Sequence, residues 1–294
     1  MKKRKYKKND LLSIIGLGGI SIKGLGLKNS SNLISYAYDN GVNYFDVAPG
    51  YGDAQQLMGE GLKSYRKNVF LACKTKYRNQ LDSTNDLNNS LKLLKTDYFD
   101  LYQLHGMKTY SDYENVVSKD GALKTLIEAK EKGKVRYIGF SCHSIEVAKL
   151  LINEDIFDSI LFPVNWGLLI KENFGNEILD LCKKKNIAVL ALKSMADRRW
   201  EEGEIRTHKN CWYKPITDPK LINLSIKFTL SKNVTSLLPP GDKDLFKKAL
   251  ELAKNDGTVR AVLIKSNLEK IFESLGVEII NISLTPPNIR VLRA

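Results

Sequence analysis

Two hydrophobic periods take turns along this chain. Short β-prone apolar runs at 43–47, 68–73, 98–104, 135–140, 159–164, 187–192 and 235–238 predict strands. Between them apolar residues recur every three or four positions, which predicts helices over 55–62, 86–94, 122–132, 144–152, 177–185, 221–231 and 242–254. A further helix begins at Ser30 or Ser31, carries Leu33, Ile34, Ala37 and Tyr38 on one face, and stops at Gly41. With the apolar stretch 11–22 as a first strand, about eight strand–helix units follow one another, which predicts an α/β fold with a closed parallel (β/α)8 TIM barrel.

The length of 294 residues suits one such barrel, which needs about 250 residues, with modest additions. No linker composition or internal repeat marks a second domain. The expected organisation is a basic N-terminal tail over 1–10, the barrel over 11–257, and a C-terminal extension over 258–294 with a helix at 259–275. One stretch breaks the alternation: 197–219 is charged, aromatic and aperiodic, and loops of this length in compact domains are functional or mobile.

Composition narrows the function classes. Four scattered cysteines form no CxxC pair, so neither a zinc ribbon nor an iron–sulfur cluster is expected, and reduced thiols in a cytoplasm are the simplest reading. The net charge of +13 suggests anionic partners, but the excess is spread widely and no RNA-binding signature accompanies it. Nucleic acid is therefore not expected as the main partner. The basic start followed by 11–22 imitates a signal peptide, yet Ser13, Gly16, Gly18, Gly19 and Ser21 interrupt the apolar run and no small-x-small site follows. The run is also too short to span a bilayer, so no membrane role is expected. The sequence is silent on oligomeric state.

Polar residues with chemical potential stand at the ends of the second, third and fourth strands. Asp46 ends the second, Tyr51 follows on the next loop, Lys74 ends the third and His105 the fourth. Taken singly each has a structural reading, and Lys76 competes with Lys74; the ordered set on one barrel face is what carries weight. The segments Gly-Val-Asn-Tyr-Phe-Asp-Val-Ala-Pro-Gly-Tyr-Gly at 41–52, Phe-Leu-Ala-Cys-Lys at 70–74, Asp-Leu-Tyr-Gln-Leu-His at 100–105 and Gly-Lys-Val-Arg-Tyr-Ile-Gly-Phe-Ser at 133–141 closely resemble the aldo-keto reductases. The resemblance runs from about Leu12 to Lys254. It implies an NAD(P)H-dependent oxidoreductase that reduces the carbonyl of a small aldehyde or ketone. In that scheme Tyr51 donates the proton, Lys74 acidifies the phenol, Asp46 holds Lys74 in place, and His105 orients the carbonyl.

The resemblance also implies a cofactor stretched across the barrel mouth without a Gly-rich dinucleotide fold. Ser141, Lys193, Pro240, Gly241 and Lys243 are the expected contacts, with NADPH favoured slightly over NADH because Lys243 suits a 2′-phosphate. Departures from the family pattern stand at Cys142, Leu161 and Leu192, where many relatives carry an Asn, a Gln and a Tyr against the nicotinamide. His143 could replace part of the lost amide contact. Asp242 works against a dense anion site or caps its helix. No metal site is expected. These departures motivate an alternative, a nucleotide-binding regulatory protein on the same barrel with little turnover. The segment 210–215 follows the seventh strand and is expected to border the substrate pocket, with Trp212 and Tyr213 lining it or anchoring the loop.

Overall fold

A computed structural model describes residues 1–254. The C-terminal extension at 258–294, with its helix at 259–275, lies outside the described residues. Eight parallel strands make one sheet in the order β12, β9, β8, β7, β6, β5, β4, β3. They are β3 (Leu17–Gly18), β4 (Tyr44–Asp46), β5 (Phe70–Thr75), β6 (Phe99–Met107), β7 (Val135–Cys142), β8 (Ser159–Pro163), β9 (Ala188–Leu192) and β12 (Ser236–Leu237). A parallel bridge between Ile15 and Leu237, with Gly16 N–H donating to Leu237 O at 2.9 Å, joins the two edges. The sheet is thus a closed (β/α)8 barrel.

Side chains alternate across each strand, and this period of two sorts the chain into two cores. Inward positions such as Tyr44, Phe70, Ala72, Leu101, Tyr137, Leu161 and Leu190 fill the barrel. Outward positions such as Phe45, Leu71, Tyr102, Ile138, Phe140 and Ile160 meet the surrounding helices. Those helices are α1 (Gly26–Asp39), α2 (Ala54–Leu62), α3 (Gln80–Leu93), α4 (Tyr110–Val117), α5 (Ala122–Glu131), α6 (Ile145–Asn153), α7 (Asn176–Lys184), α8 (Pro219–Ser231) and α9 (Lys243–Lys254). Helix α4 is not among the helices the hydrophobic period predicts. It is short, and its capping box between Thr109 and Asp112 sets it rather than a long apolar stripe.

The basic start is folded back rather than trailing. Residues β1 (Lys3–Lys5) pair antiparallel with β2 (Leu11–Ser13), so 11–22 supplies a hairpin strand before the short barrel strand β3. Tyr6 enters the barrel's lower end, where its hydroxyl donates to Ser159 Oγ at 2.8 Å. Gly16 is where the chain passes from hairpin to barrel, and a Cβ there would collide with the Tyr44 ring.

The same lower end is held by Asp100. This buried carboxylate accepts from Leu71 N–H at 2.9 Å, Arg66 Nη1 at 3.0 Å and Arg136 Nη1 at 2.7 Å. Removing it would strand a largely buried Arg66 guanidinium. Asp100→Ala should therefore cost about 3 kcal/mol in urea unfolding, whereas an exposed ion pair such as Lys132–Glu128 should cost under about 1 kcal/mol.

Candidate active site

The inward alternation that packs the barrel continues to its upper rim, and there the side chains become polar. On β5 the inward series Phe70, Ala72 ends in Lys74; on β4, Tyr44 is followed by Asp46; on β6, Leu101 and Gln103 lead to His105. Pairing brings Asp46 beside Ala72 and Lys74 beside Gln103. The polar groups therefore share one layer.

Lys74 is fully buried, and its ammonium donates to Asp46 Oδ1 and, at 3.4 Å, to Val47 O. The other Asp46 oxygen accepts from Tyr44 Oη at 3.1 Å and Gln103 Nε2 at 3.2 Å. A buried ion pair survives only when such extra bonds satisfy it. The Lys74 ammonium lies 6.0 Å from the centroid of the Tyr51 ring. His105 meets the same ring edge-on, with centroids 6.0 Å apart and planes at 83°. All four residues expected from the strand ends are thus brought together.

The electrostatics correct one expectation. Lys74 was expected to acidify the Tyr51 phenol; instead burial raises the phenol's pKa, and the Asp46 carboxylate adds to the rise. Taking the ring out of water disfavours the phenolate, and the like charge of Asp46 disfavours it further. His105 is lowered to about 3, first by burial and then by Lys74, Arg78 and Lys108. His143 is also lowered to about 3, by burial and then by Lys193, Lys108 and His105. Both imidazoles are neutral at physiological pH.

Those two shifts predict an acid-sensitive fold. Between pH 3 and 6.5 the unfolded chain binds protons at both histidines that the folded chain refuses, so stability falls as pH drops through that window. Each histidine contributes a slope of up to about 1.4 kcal/mol per pH unit. Replacing His143 by Gln should flatten the decline, as measured by urea midpoints across that range.

Above the polar layer opens a cavity of about 560 Å³, lined by Gly18, Asp46, Tyr51, Lys76, His105, Lys108, Ser141, His143, Leu161, Leu192, Lys193 and Pro239–Gly241 among others. Ser141 Oγ accepts from Gly106 N–H at 2.7 Å and so holds the turn that carries His105. His143 Nδ1 is buried and has no hydrogen-bond partner among the described residues. Lys193 takes a left-handed φ of 62°, with its carbonyl held by Asn165 Nδ2 at 3.1 Å. Burial, then Lys108 and Arg199, lower its pKa to about 8.

Of the expected cofactor contacts, Ser141, Lys193, Pro240 and Gly241 line this cavity, but Lys243 does not. Lys243 opens α9, is exposed, and pairs with Asp244 at 3.0 Å. The α9 N-terminus is not open for an anion either, because Asp242 Oδ1 accepts from Asp244 N–H and Leu245 N–H, each at 2.9 Å. Asp242 acts as the cap.

The aperiodic loop after β9 roofs the cavity. Its ends pair as β10 (Ala196–Arg198) and β11 (Lys214–Pro215), and Glu204 bridges Arg198 and Lys214 at 2.7–2.9 Å. Trp200 Nε1 donates to Cys211 O at 2.9 Å, and Asn210 Nδ2 reaches across the barrel to Lys23 O at 3.1 Å. Tyr213 is buried, so it anchors the loop as well as lining the cavity. Trp212 is 64% exposed and lies over Tyr51, with centroids 5.8 Å apart. These interactions join residues too irregularly spaced for any period to reveal.

The family model for the aldo/keto reductase family matches residues 14–284. The chain belongs to that family. Aldo-keto reductase YhdN of Bacillus subtilis (strain 168) is 28% identical over 223 residues, which cover 68% of this chain and 65% of the relative. The uncharacterized oxidoreductase YqkF of the same organism is 31% identical over 198 residues, covering 59% and 62%. The chain thus spans less than two thirds of the length of both curated relatives. Among solved structures, the holo form of aldo-keto reductase AKR11C1 from Bacillus halodurans matches with a TM-score of 0.69 at 23% identity, covering 88% of this chain and 93% of that one. At that identity the likeness speaks for the shared barrel. Among the described residues no cluster of ligating side chains could hold a metal ion, and no helix is long and apolar enough to cross a membrane.

Proposed function

We propose that the protein is a nicotinamide-dependent oxidoreductase that reduces an aldehyde or ketone to an alcohol, with Tyr51 as the general acid. The observation that carries this is the buried Lys74–Asp46 pair directly beneath Tyr51, with His105 against the same ring, at the floor of an open cavity.

The residues of the β7–β9 wall fit a nicotinamide dinucleotide. Ser141 accepts one bond and keeps its own proton to donate, and the orphaned His143 Nδ1 needs a polar partner, which a carboxamide would supply. Lys193 offers a cation for phosphate, while Pro240 and Gly241 form the adjoining rim. The bound reduced cofactor would supply the hydride.

The remaining chemistry belongs to this chain. Neutral His105 donates one hydrogen bond to the substrate oxygen and orients the carbonyl. As the carbon gains hydride, the π pair moves onto oxygen, which takes the Tyr51 proton and leaves an alcohol. The raised phenol pKa keeps that proton in place until then, because an alkoxide is a far stronger base than a phenolate. The phenolate left behind sits above Lys74, which stabilises it until a solvent proton returns. The alternative of a slow regulatory binder rests on Cys142, Leu161 and Leu192. Stopped-flow mixing of NADPH-loaded protein with a reactive aldehyde separates the two: oxidation within seconds is expected, and tight binding with no oxidation over minutes would favour the binder.

NADPH is the proposed cofactor over NADH, now on Lys193 rather than Lys243. Titration by nicotinamide fluorescence should give a lower Kd for NADPH. That preference should shrink in Lys193→Ala and stay as it is in Lys243→Ala. His143→Ala should weaken both cofactors about tenfold through the lost hydrogen bond.

A further inference from the structure

The cavity is charged in one sense. Among the described residues Lys76, Lys108 and Lys193 line it, while the one carboxylate there, Asp46, is already taken by Lys74, Gln103 and Tyr44. Lys193 stands on the wall assigned above to the cofactor. Lys76 and Lys108 stand on the other wall, just past the strands that carry Lys74 and His105.

Among the described residues neither of these two ammonium groups has a carboxylate within ion-pair distance. Asp112 is bound by Arg78 Nε at 2.7 Å and accepts the backbone N–H groups of Lys108 and Thr109. Asp86 is a half-buried carboxyl hydrogen-bonded to Thr75; Lys76 acts on it through space, beyond ion-pair distance. Lys76 faces the Tyr77 ring at 5.6 Å. Isolated surface lysines are ordinary and simply solvated. Here the cations converge on one concave surface, where their fields add and low-dielectric walls focus them. Their mutual cost is visible in His143 and Lys193, both of which Lys108 makes harder to protonate. An anion in the cavity would relieve that cost.

Position along the chain places both lysines above the polar layer: Lys76 lies two residues beyond Lys74 and Lys108 three beyond His105, each just past the end of its strand. Both line the cavity that also holds Tyr51 and His105, and their flexible stems can sweep the space between. A carbonyl seated at Tyr51 would extend upward between them.

Resting on the reductase reading above, we propose that the substrate is an aldehyde or ketone carrying a carboxylate or phosphate a few atoms from its carbonyl. Lys76 and Lys108 hold the anion while the carbonyl oxygen meets Tyr51 and His105. The two lysines select the substrate; the proton transfer is unchanged.

Matched pairs test this. The kcat/KM for 4-oxobutanoate is compared with that for its methyl ester, and for glyceraldehyde 3-phosphate with glyceraldehyde, in the wild type, the Lys76→Ala/Lys108→Ala double variant, and Lys67→Ala at the opposite end of the barrel. The anionic member should be preferred by about tenfold or more at low salt, with the preference falling as salt rises. The larger of the two ratios tells carboxylate from phosphate. The double variant should bring the ratio close to one, and Lys67→Ala should leave it as in the wild type. A wild-type ratio near one would overturn the proposal while leaving the reductase reading intact. A high ratio unmoved in the double variant would also overturn it, reassigning the anion to Lys193. If no aldehyde is turned over at all, binding decides separately: succinate should perturb tryptophan fluorescence at Trp212 far more than succinamide, and the double variant should lose that difference. Charge-selective binding without turnover would keep the anion site and sink the reductase reading; equal binding of both probes would overturn the anion site.

Discussion

Tyr51→Phe should lower kcat for carbonyl reduction by about a thousandfold while leaving NADPH binding within about twofold of the wild type. The substitution removes one oxygen and little volume. The ring retains its edge contact with His105 and its place beneath Trp212, so the cavity keeps its shape. What disappears is the proton that must reach the substrate oxygen as hydride arrives at carbon. No nearby group replaces it. His105 and His143 are neutral with pKa values of about 3, and Lys74 is committed to Asp46. Single-turnover oxidation of bound NADPH measures the effect free of product release. Wild-type-like turnover would remove Tyr51 from the chemistry. Loss of cofactor binding in step with rate would make its part structural.

The second large effect concerns the ion pair below. Lys74→Met preserves much of the side-chain volume but leaves the Asp46 carboxylate buried with only Tyr44 and Gln103 as donors. Stranding one member of a buried pair costs about 3–5 kcal/mol, which urea unfolding should read directly. Asp46→Asn should also destabilise, by stranding the ammonium. The double variant Asp46→Leu/Lys74→Met should be more stable than either single change, since replacing both charges removes the uncompensated one. Its activity should nevertheless stay low, because no cation remains to stabilise the Tyr51 phenolate. That split between recovered stability and lost turnover distinguishes a catalytic pair from a purely structural one. Recovery of both together would assign the pair to the fold alone.

Barrel and polar layer were legible for the same reason. The alternation that makes Phe70, Ala72, Leu101 and Tyr44 inward-facing core also fixes the direction of Lys74, His105 and Asp46 at the rim, so local order carries a geometric consequence. Lys243 shows where that reasoning stops. A helix start after Pro240-Gly241 can be read from the chain, but the face on which its first lysine emerges depends on how α9 docks, and here Asp242 already occupies the helix end. The N-terminal hairpin has no hydrophobic period to reveal it, because its first strand is Lys3-Arg4-Lys5, and Tyr6 becomes meaningful only when a barrel end exists for it to close.

Residue order by itself determined the (β/α)8 class, the strand ends bearing Asp46, Tyr51, Lys74 and His105, and the family. These follow from periods of two and 3.6 and from contiguous segments, all of which are local properties of a chain. Only the tertiary structure decided that burial and Asp46 raise the pKa of the Tyr51 phenol, that His143 Nδ1 lacks a partner among the described residues, and that Lys76 and Lys108 face a common space. Desolvation, charge balance and cavity shape are sums over neighbours distant in sequence, and they take definite values once the strands have closed.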